Sequence, residues 1–207
     1  MKEFIKLLVL AAVVLLIGGA VANALFVKRF LVPDNGMAPT MVYGDEVLVW
    51  TRFGVDSGDI LVCQHPGRNS GYVFGRVLAH PGQTINTDHN GTLYIDGQRT
   101  DVEPKGTVQF YDVTRKRQFT MRWGEMAYSP RLTRPYFLEE GRTFTMREYR
   151  VDRGLYLLGD NRSDEQHDSR TYGEVLPDTC YGQVFLRWKP APPTGDDIHH
   201  SMLDWIK

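Results

Sequence analysis

Cysteine is scarce in this chain. Two cysteines in 207 residues, Cys63 and Cys180, exclude a disulfide-dense scaffold and a cysteine-ligated zinc cluster. No H-E-x-x-H or comparable ligand spacing occurs, so neither a metal nor a cofactor is expected. Net charge is close to absent as well. Its formal value of −1 gives no field to attract a polyanion, and nucleic acid is not an expected partner. There is no internal repeat and no low-complexity tract, which excludes solenoids and long disordered arms.

What is present is an ordinary globular balance, 42% hydrophobic and 24% charged, in a length that suits one domain with an elaboration. Charge is missing from one long stretch. Residues 7–27 carry a single polar side chain, Asn23. At about 1.5 Å per residue a helix of that length would span a hydrocarbon core of about 30 Å. Lys2 and Lys6 precede the run and Lys28 and Arg29 follow it, so flanking charge sets no orientation. The continuous run favours an uncleaved anchor over residues 1–28. A signal peptide cut after Ala22-Asn23-Ala24 is the alternative. Either sends the remainder across the membrane, where an oxidising compartment permits a Cys63–Cys180 disulfide. Two buried thiols are the other possibility.

Twenty glycines and eleven prolines punctuate short β-branched and aromatic runs at 47–50, 60–64, 72–79, 93–95, 155–158 and 182–188. Short runs bounded by turn residues predict a mainly β, antiparallel, barrel-like domain. Residues 101–149 differ. Arg115, Lys116, Arg117, Arg131 and Arg134 make them basic, and Phe110, Phe119, Trp123, Phe137 and Phe144 make them aromatic. A cross-strand aromatic ladder with solvated charges is favoured over a nucleic-acid surface. A Pro-rich spacer opens residues 191–207. Ile198, Met202, Trp205 and Ile206 then fall at helical spacing behind Asp196 and Asp197, which predicts a short amphipathic C-terminal helix.

Six blocks carry a resemblance. Pro33-Asp34-Asn35-Gly36-Met37-Ala38-Pro39-Thr40-Met41 is similar to P-S-x-S-M-x-P-T-L. Gly44-Asp45-Glu46-Val47 follows it, and Gly58-Asp59-Ile60-Leu61-Val62 leads to Gly75-Arg76-Val77-Leu78-Ala79-His80-Pro81-Gly82, similar to K-R-V-x-G-x-P-G. Tyr94-Ile95-Asp96-Gly97 comes next. The last block is Gly159-Asp160-Asn161-Arg162 with Asp168-Ser169-Arg170. In this order they resemble the type I signal peptidases, the S26 serine peptidases. The resemblance implies a signal-peptidase-like β-barrel core over 29–100 and 150–190, with 101–149 inserted as a second β subdomain. It also implies a single-pass protein of the bacterial inner membrane whose domain faces the periplasm or exterior.

The same resemblance implies that the chemistry is lost. Gly36 stands where the family has its serine nucleophile, Gly75 where it has its lysine base, and Asp34 where an oxyanion-stabilising hydroxyl belongs. A further serine that contacts the lysine would fall near Glu165 or Gln166. Peptide would add as an extended strand between residues 34–37 and 72–75, with Met37, Tyr72, Val73 and Phe74 lining a groove that the glycines widen. Asp160, Asn161, Arg162, Asp168, Ser169 and Arg170 would brace the loops through charge pairs and turn caps. The function implied is that of an inactive, membrane-anchored homologue that binds exported or membrane proteins through extended segments, as chaperone or assembly factor. The alternative is an active signal peptidase with a relocated nucleophile drawn from Thr40, Ser57, Cys63 or Ser70 and a base drawn from His65, His80 or His167.

Overall fold

Residues 60–64 and 72–79 form strands β3 (Ile60–Gln64) and β4 (Tyr72–Ala79), with the bounds their composition suggests. Both are buried on two faces along nearly their whole length, which explains why they read as continuous apolar runs rather than alternating ones. They lie inside the largest sheet. Its other strands are β1 (Val27–Leu31), β2 (Glu46–Trp50), β12 (Tyr156–Leu158) and β13 (Cys180–Lys189), in the order β1-β2-β13-β3-β4-β12. Every pairing is antiparallel. Cys180 sits opposite Cys63 across β13 and β3, and the two form a disulfide.

The computed structural model describes residues 2–68, 70–129, 132–192 and 200–206. In helix α1 (Lys2–Phe26) the side chains at 3 and 20–25 lie outside that description. Among the described residues no helix is long and apolar enough to cross a membrane. The cleavage pattern at residues 22–24 falls among side chains that are not described. The uncharged run does not continue as helix to its end. Val27 begins β1, opposite Trp50 of β2, so the sheet starts two residues earlier than position 29.

Two smaller sheets complete the fold. One has the order β11-β5-β6-β7, built from β5 (Thr84–Thr87), β6 (Leu93–Ile95), β7 (Gln98–Arg99) and β11 (Tyr149–Arg150). The other belongs to the basic and aromatic stretch: β8 (Val102–Asp112), β9 (Arg117–Ser129) and β10 (Leu132–Glu139), with β9 in the middle. The aromatic ladder forms. Phe110 faces Phe119 and Trp123 faces Phe137 across their strands, and the last two rings stack at 6.2 Å. This sheet does not stand apart. Met126, Leu138 and Phe144 share a core with Leu78, Ile85, Tyr156 and Leu158, so burial that stabilises one sheet stabilises the other.

The C-terminal helix is not found. Asp204–Trp205 is instead a short strand, β14, paired to β13 through Leu186 and Arg187. Ile198, with all of residues 193–199, lies outside the described residues. The physical reason for the strand is the buried guanidinium of Arg187, which pairs with Asp45 at 3.1 Å and Asp204 at 2.8 Å. Ile206 also packs on the core beneath β2. A charge that needs a partner and an apolar side chain that needs cover override the helical spacing.

Candidate functional site

The loop over residues 33–41 is pinned from three sides. Asn35 is buried, donates to Asp112 Oδ1 at 2.8 Å and accepts from the Tyr43 amide. This ties the loop to the end of β8. The Asn161 amide donates to the Gly36 carbonyl at 3.1 Å, and the Asn161 side chain donates to the Asn35 carbonyl. Gly159 lets this approach happen, because a Cβ there would run into the Gly36 carbonyl. Thr40 donates to Asp160 Oδ2 at 2.7 Å.

Asp160 is the anchor behind the loop. It and Arg76 are both fully buried and meet bidentately, with Nε–Oδ1 and Nη2–Oδ2 each 2.7 Å. Arg76 also donates to the Gly58 carbonyl. The fork geometry fixes β4 against the segment that follows β12. Asp168 caps the helix α2 (Ser169–Tyr172) by accepting from the Arg170 amide, and it pairs with the Arg170 guanidinium at 2.7 Å. Ser169 Oγ accepts from the Leu157 amide. Three of the four charged motif residues therefore brace loops as expected. Arg162 does not. It is buried without a hydrogen-bond partner on any guanidinium nitrogen, and lies 5.6 Å from the centres of both the Tyr136 and Phe144 rings. Cation–π contact replaces the charge pair.

At Gly36 and Gly75 the space is filled rather than widened. A Cβ on Gly36 would lie 2.8 Å from Cβ of His167, and a Cβ on Gly75 would lie 2.7 Å from Cβ of Leu157. Both contacts are below van der Waals distance, and both neighbours are Cβ atoms that cannot swing away. The residue that meets Gly36 is His167, which the 3-10 turn Glu165–His167 brings to the loop. The Gly36 amide donates to Asp34 Oδ1 at 2.9 Å. Met37, Val73 and Phe74 are core side chains, 1%, 5% and 2% exposed. Met37 and Phe74 share one apolar cluster, and Val73 lies in another with Leu157. Tyr72 alone is half-buried, and its hydroxyl donates to the Leu31 carbonyl. The expected open groove between these segments is thus packed by the protein itself.

The charges around Gly36 form a cluster that sequence spacing did not show. His167 Nδ1 lies 3.0 Å from Asp164 Oδ1, off the hydrogen-bond axis. Arg115 reaches Asp164 at 3.3 Å. The Asp164 contact holds the imidazole above its ordinary pKa against desolvation, with Asp34 helping. Burial pushes Asp34 up, against the pull of His167. Burial would also raise Asp164, but His167 and Arg115 hold it below the usual carboxylate range.

Of the alternative nucleophiles, Cys63 is bonded to Cys180 and the Thr40 hydroxyl donates its hydrogen bond to Asp160. Ser57 is different, since His80 Nε2 lies 3.2 Å from its Oγ. The two come together because the 56–59 turn packs against the end of β4, a pairing invisible in their separation of 23 residues.

The family model for signal peptidase, peptidase S26, matches residues 1–189. The chain belongs to the S26 signal peptidase family. It is 25% identical over 206 residues to a signal peptidase I of Pseudomonas aeruginosa, covering 83% of this chain and 68% of that protein. It is 24% identical over 199 residues to a Staphylococcus aureus protein named inactive signal peptidase IA, covering 92% of this chain and 94% of that protein. A crystal structure of a signal peptidase I from Enterococcus faecalis aligns at 25% identity over 63% of this chain and 97% of that one, with a TM-score of 0.34.

Proposed function

We propose that this S26 member is catalytically inactive and acts by binding: a membrane-anchored, extracytoplasmic partner of exported proteins, used as chaperone or assembly factor. The observation that carries the reading is the filled site. In a serine–lysine mechanism a hydroxyl attacks, a neutral lysine takes its proton and an amide stabilises the oxyanion. Gly36 and Gly75 supply neither side chain, and His167 and Leu157 occupy the room those side chains need. The Gly36 amide, the natural oxyanion donor, already serves Asp34. A developing anion would meet a carboxylate instead of a free N–H. The similarity to a protein named inactive signal peptidase IA supports the same reading.

Anchoring rests on the uncharged run of residues 7–27, a length of sequence that suits a membrane span. The Cys63–Cys180 disulfide supports an oxidising compartment. The test is capture of exported precursors by the full-length protein in membranes, with an S26 relative bearing serine and lysine as reference. Recovery of no precursor above a tagged membrane-protein control would sink the binding role.

One observation favours the second reading, a relocated hydrolase. Ser57 and His80 stand at 3.2 Å, within the looser range of an unliganded nucleophile–base pair. Ser57 also lines a cavity of about 450 Å³. Labelling of Ser57 by a fluorophosphonate probe, abolished by His80→Gln, would favour it.

A further inference from the structure

With the site at Gly36 closed, an exported segment needs another place to bind. The most apolar candidate is a cleft of about 670 Å³ between β10, the 39–40 turn and β14, within the range of ligand sites. Its walls include Trp123, Phe137, Leu132, Pro135 and Trp205. Trp123 and Phe137 stack at 6.2 Å. Trp205 is 68% exposed on a two-residue strand, which is more aromatic surface than folding alone requires.

Four charged residues line the cleft: Glu125, Arg134, Arg187 and Asp204. Three are balanced. Arg187 pairs with Asp45 and Asp204, while Glu125 lies 3.9 Å from Lys105 and accepts from the Thr133 hydroxyl. Arg134 has no carboxylate within ion-pair distance among the described residues. Its Nε donates to the Gly58 carbonyl at 3.1 Å and its Nη1 to the Thr133 carbonyl at 3.0 Å, which leaves Nη2 without an acceptor among the described residues. Desolvation and the charge of Arg76 lower its pKa, outweighing the pull of Asp59 and Asp160. A half-buried, under-compensated cation beside aromatic walls gains from an incoming anion.

We infer that this cleft binds an extended peptide segment in which an acidic side chain pairs with Arg134 while a neighbouring apolar or aromatic side chain lies against Trp123, Phe137 and Trp205. The inference rests on the binding reading above and gives it a location and a ligand class. The cleft is open rather than enclosed, which suits a segment passing through and hence a side-chain carboxylate rather than a chain terminus. Pro135 has no N–H for an added strand, so recognition runs through side chains.

The test uses the full-length protein in detergent and three peptides followed by tryptophan fluorescence and calorimetry. One is a blocked ten-residue peptide of Ala, Leu and Phe with a single Glu. The second has Gln in its place. The third is the Gln peptide with a free C-terminal carboxylate. The Glu peptide should bind about tenfold or more tighter than the Gln peptide. Arg134→Gln should erase that difference, Arg134→Lys should keep part of it, and Trp205→Ala should weaken both peptides. Equal binding of the blocked Glu and Gln peptides, or preference for the free carboxylate, overturns the inference. Binding of all three that ignores Arg134→Gln and Trp205→Ala overturns the cleft and leaves the binding reading standing. No binding of any peptide, together with no capture of precursors, overturns both.

Discussion

Single atoms decide most of what this chain does not do. The resemblance alone suggests that a dyad would need Gly36→Ser, Gly75→Lys and Asp34→Ser together. The neighbours of the two glycines stand in the way. Gly36→Ala and Gly75→Ala should each destabilise the fold by about 1–3 kcal/mol through overpacking, measured by urea denaturation. The cost of Gly75→Ala should shrink in a Leu157→Gly background, because Cβ of Leu157 is the atom in the way and only glycine removes it. No gain from that pair would show that the crowding is not the cause. His167 makes a pH prediction. Its pKa is raised, first by Asp164, so its contribution is complete below the ordinary value of about 6.5 and is lost as pH rises through the folded value. Asp164, depressed by His167 and Arg115 against burial, works in the opposite sense, losing its share as pH falls through its folded value. NMR titration of the His167 ring should give a pKa above 6.5 that drops in Asp164→Asn, and an unchanged value would refute the pairing.

At the scale of elements, the account turns on how segments far apart in sequence are clamped. Arg76→Met should cost about 3–5 kcal/mol, since Asp160 would be left buried without its partner. Arg76→Met with Asp160→Leu should cost less than the single change in the same thermal or denaturant assay. The Cys63–Cys180 bridge closes a separation of 117 residues. Its reduction should lower stability by up to about 4–5 kcal/mol, seen as a fall in Tm on adding dithiothreitol. Strands β3, β4 and β6 were legible because their β-branched runs end at glycine or aspartate turns. The clamps around the site were half-legible. Asp168 and Arg170 lie two residues apart and announce a cap, whereas Asp160 finds Arg76 across 84 residues and only the fold unites them. The tail misled because periodicity records spacing and not the need of Arg187 for Asp204. The contact of His167 with Gly36 was not legible, because 131 residues separate the two and only the fold brings them together.

For the whole molecule, the loops around Gly36 are braced by buried charge pairs and the space beside Gly36 and Gly75 is packed. The braces are Arg76–Asp160, Asp168–Arg170 and Asn35–Asp112, and none of them requires catalysis to be stabilising. Closure follows from the same packing, since Met37, Phe74 and Leu157 bury apolar surface that an open groove would leave wet. The proposed binding role therefore falls to surfaces that remain accessible, the aromatic cleft first. The most direct measurement is a single-turnover cleavage assay. A labelled precursor with an intact signal peptide is incubated with an excess of the full-length protein, beside a signal peptidase I that has its serine and lysine. We expect the reference to release the mature product while this protein leaves the precursor intact over the same period and beyond. Release of mature product by the unmodified chain, lost on Ser57→Ala, would contradict the account and place a working hydrolase elsewhere on the same fold.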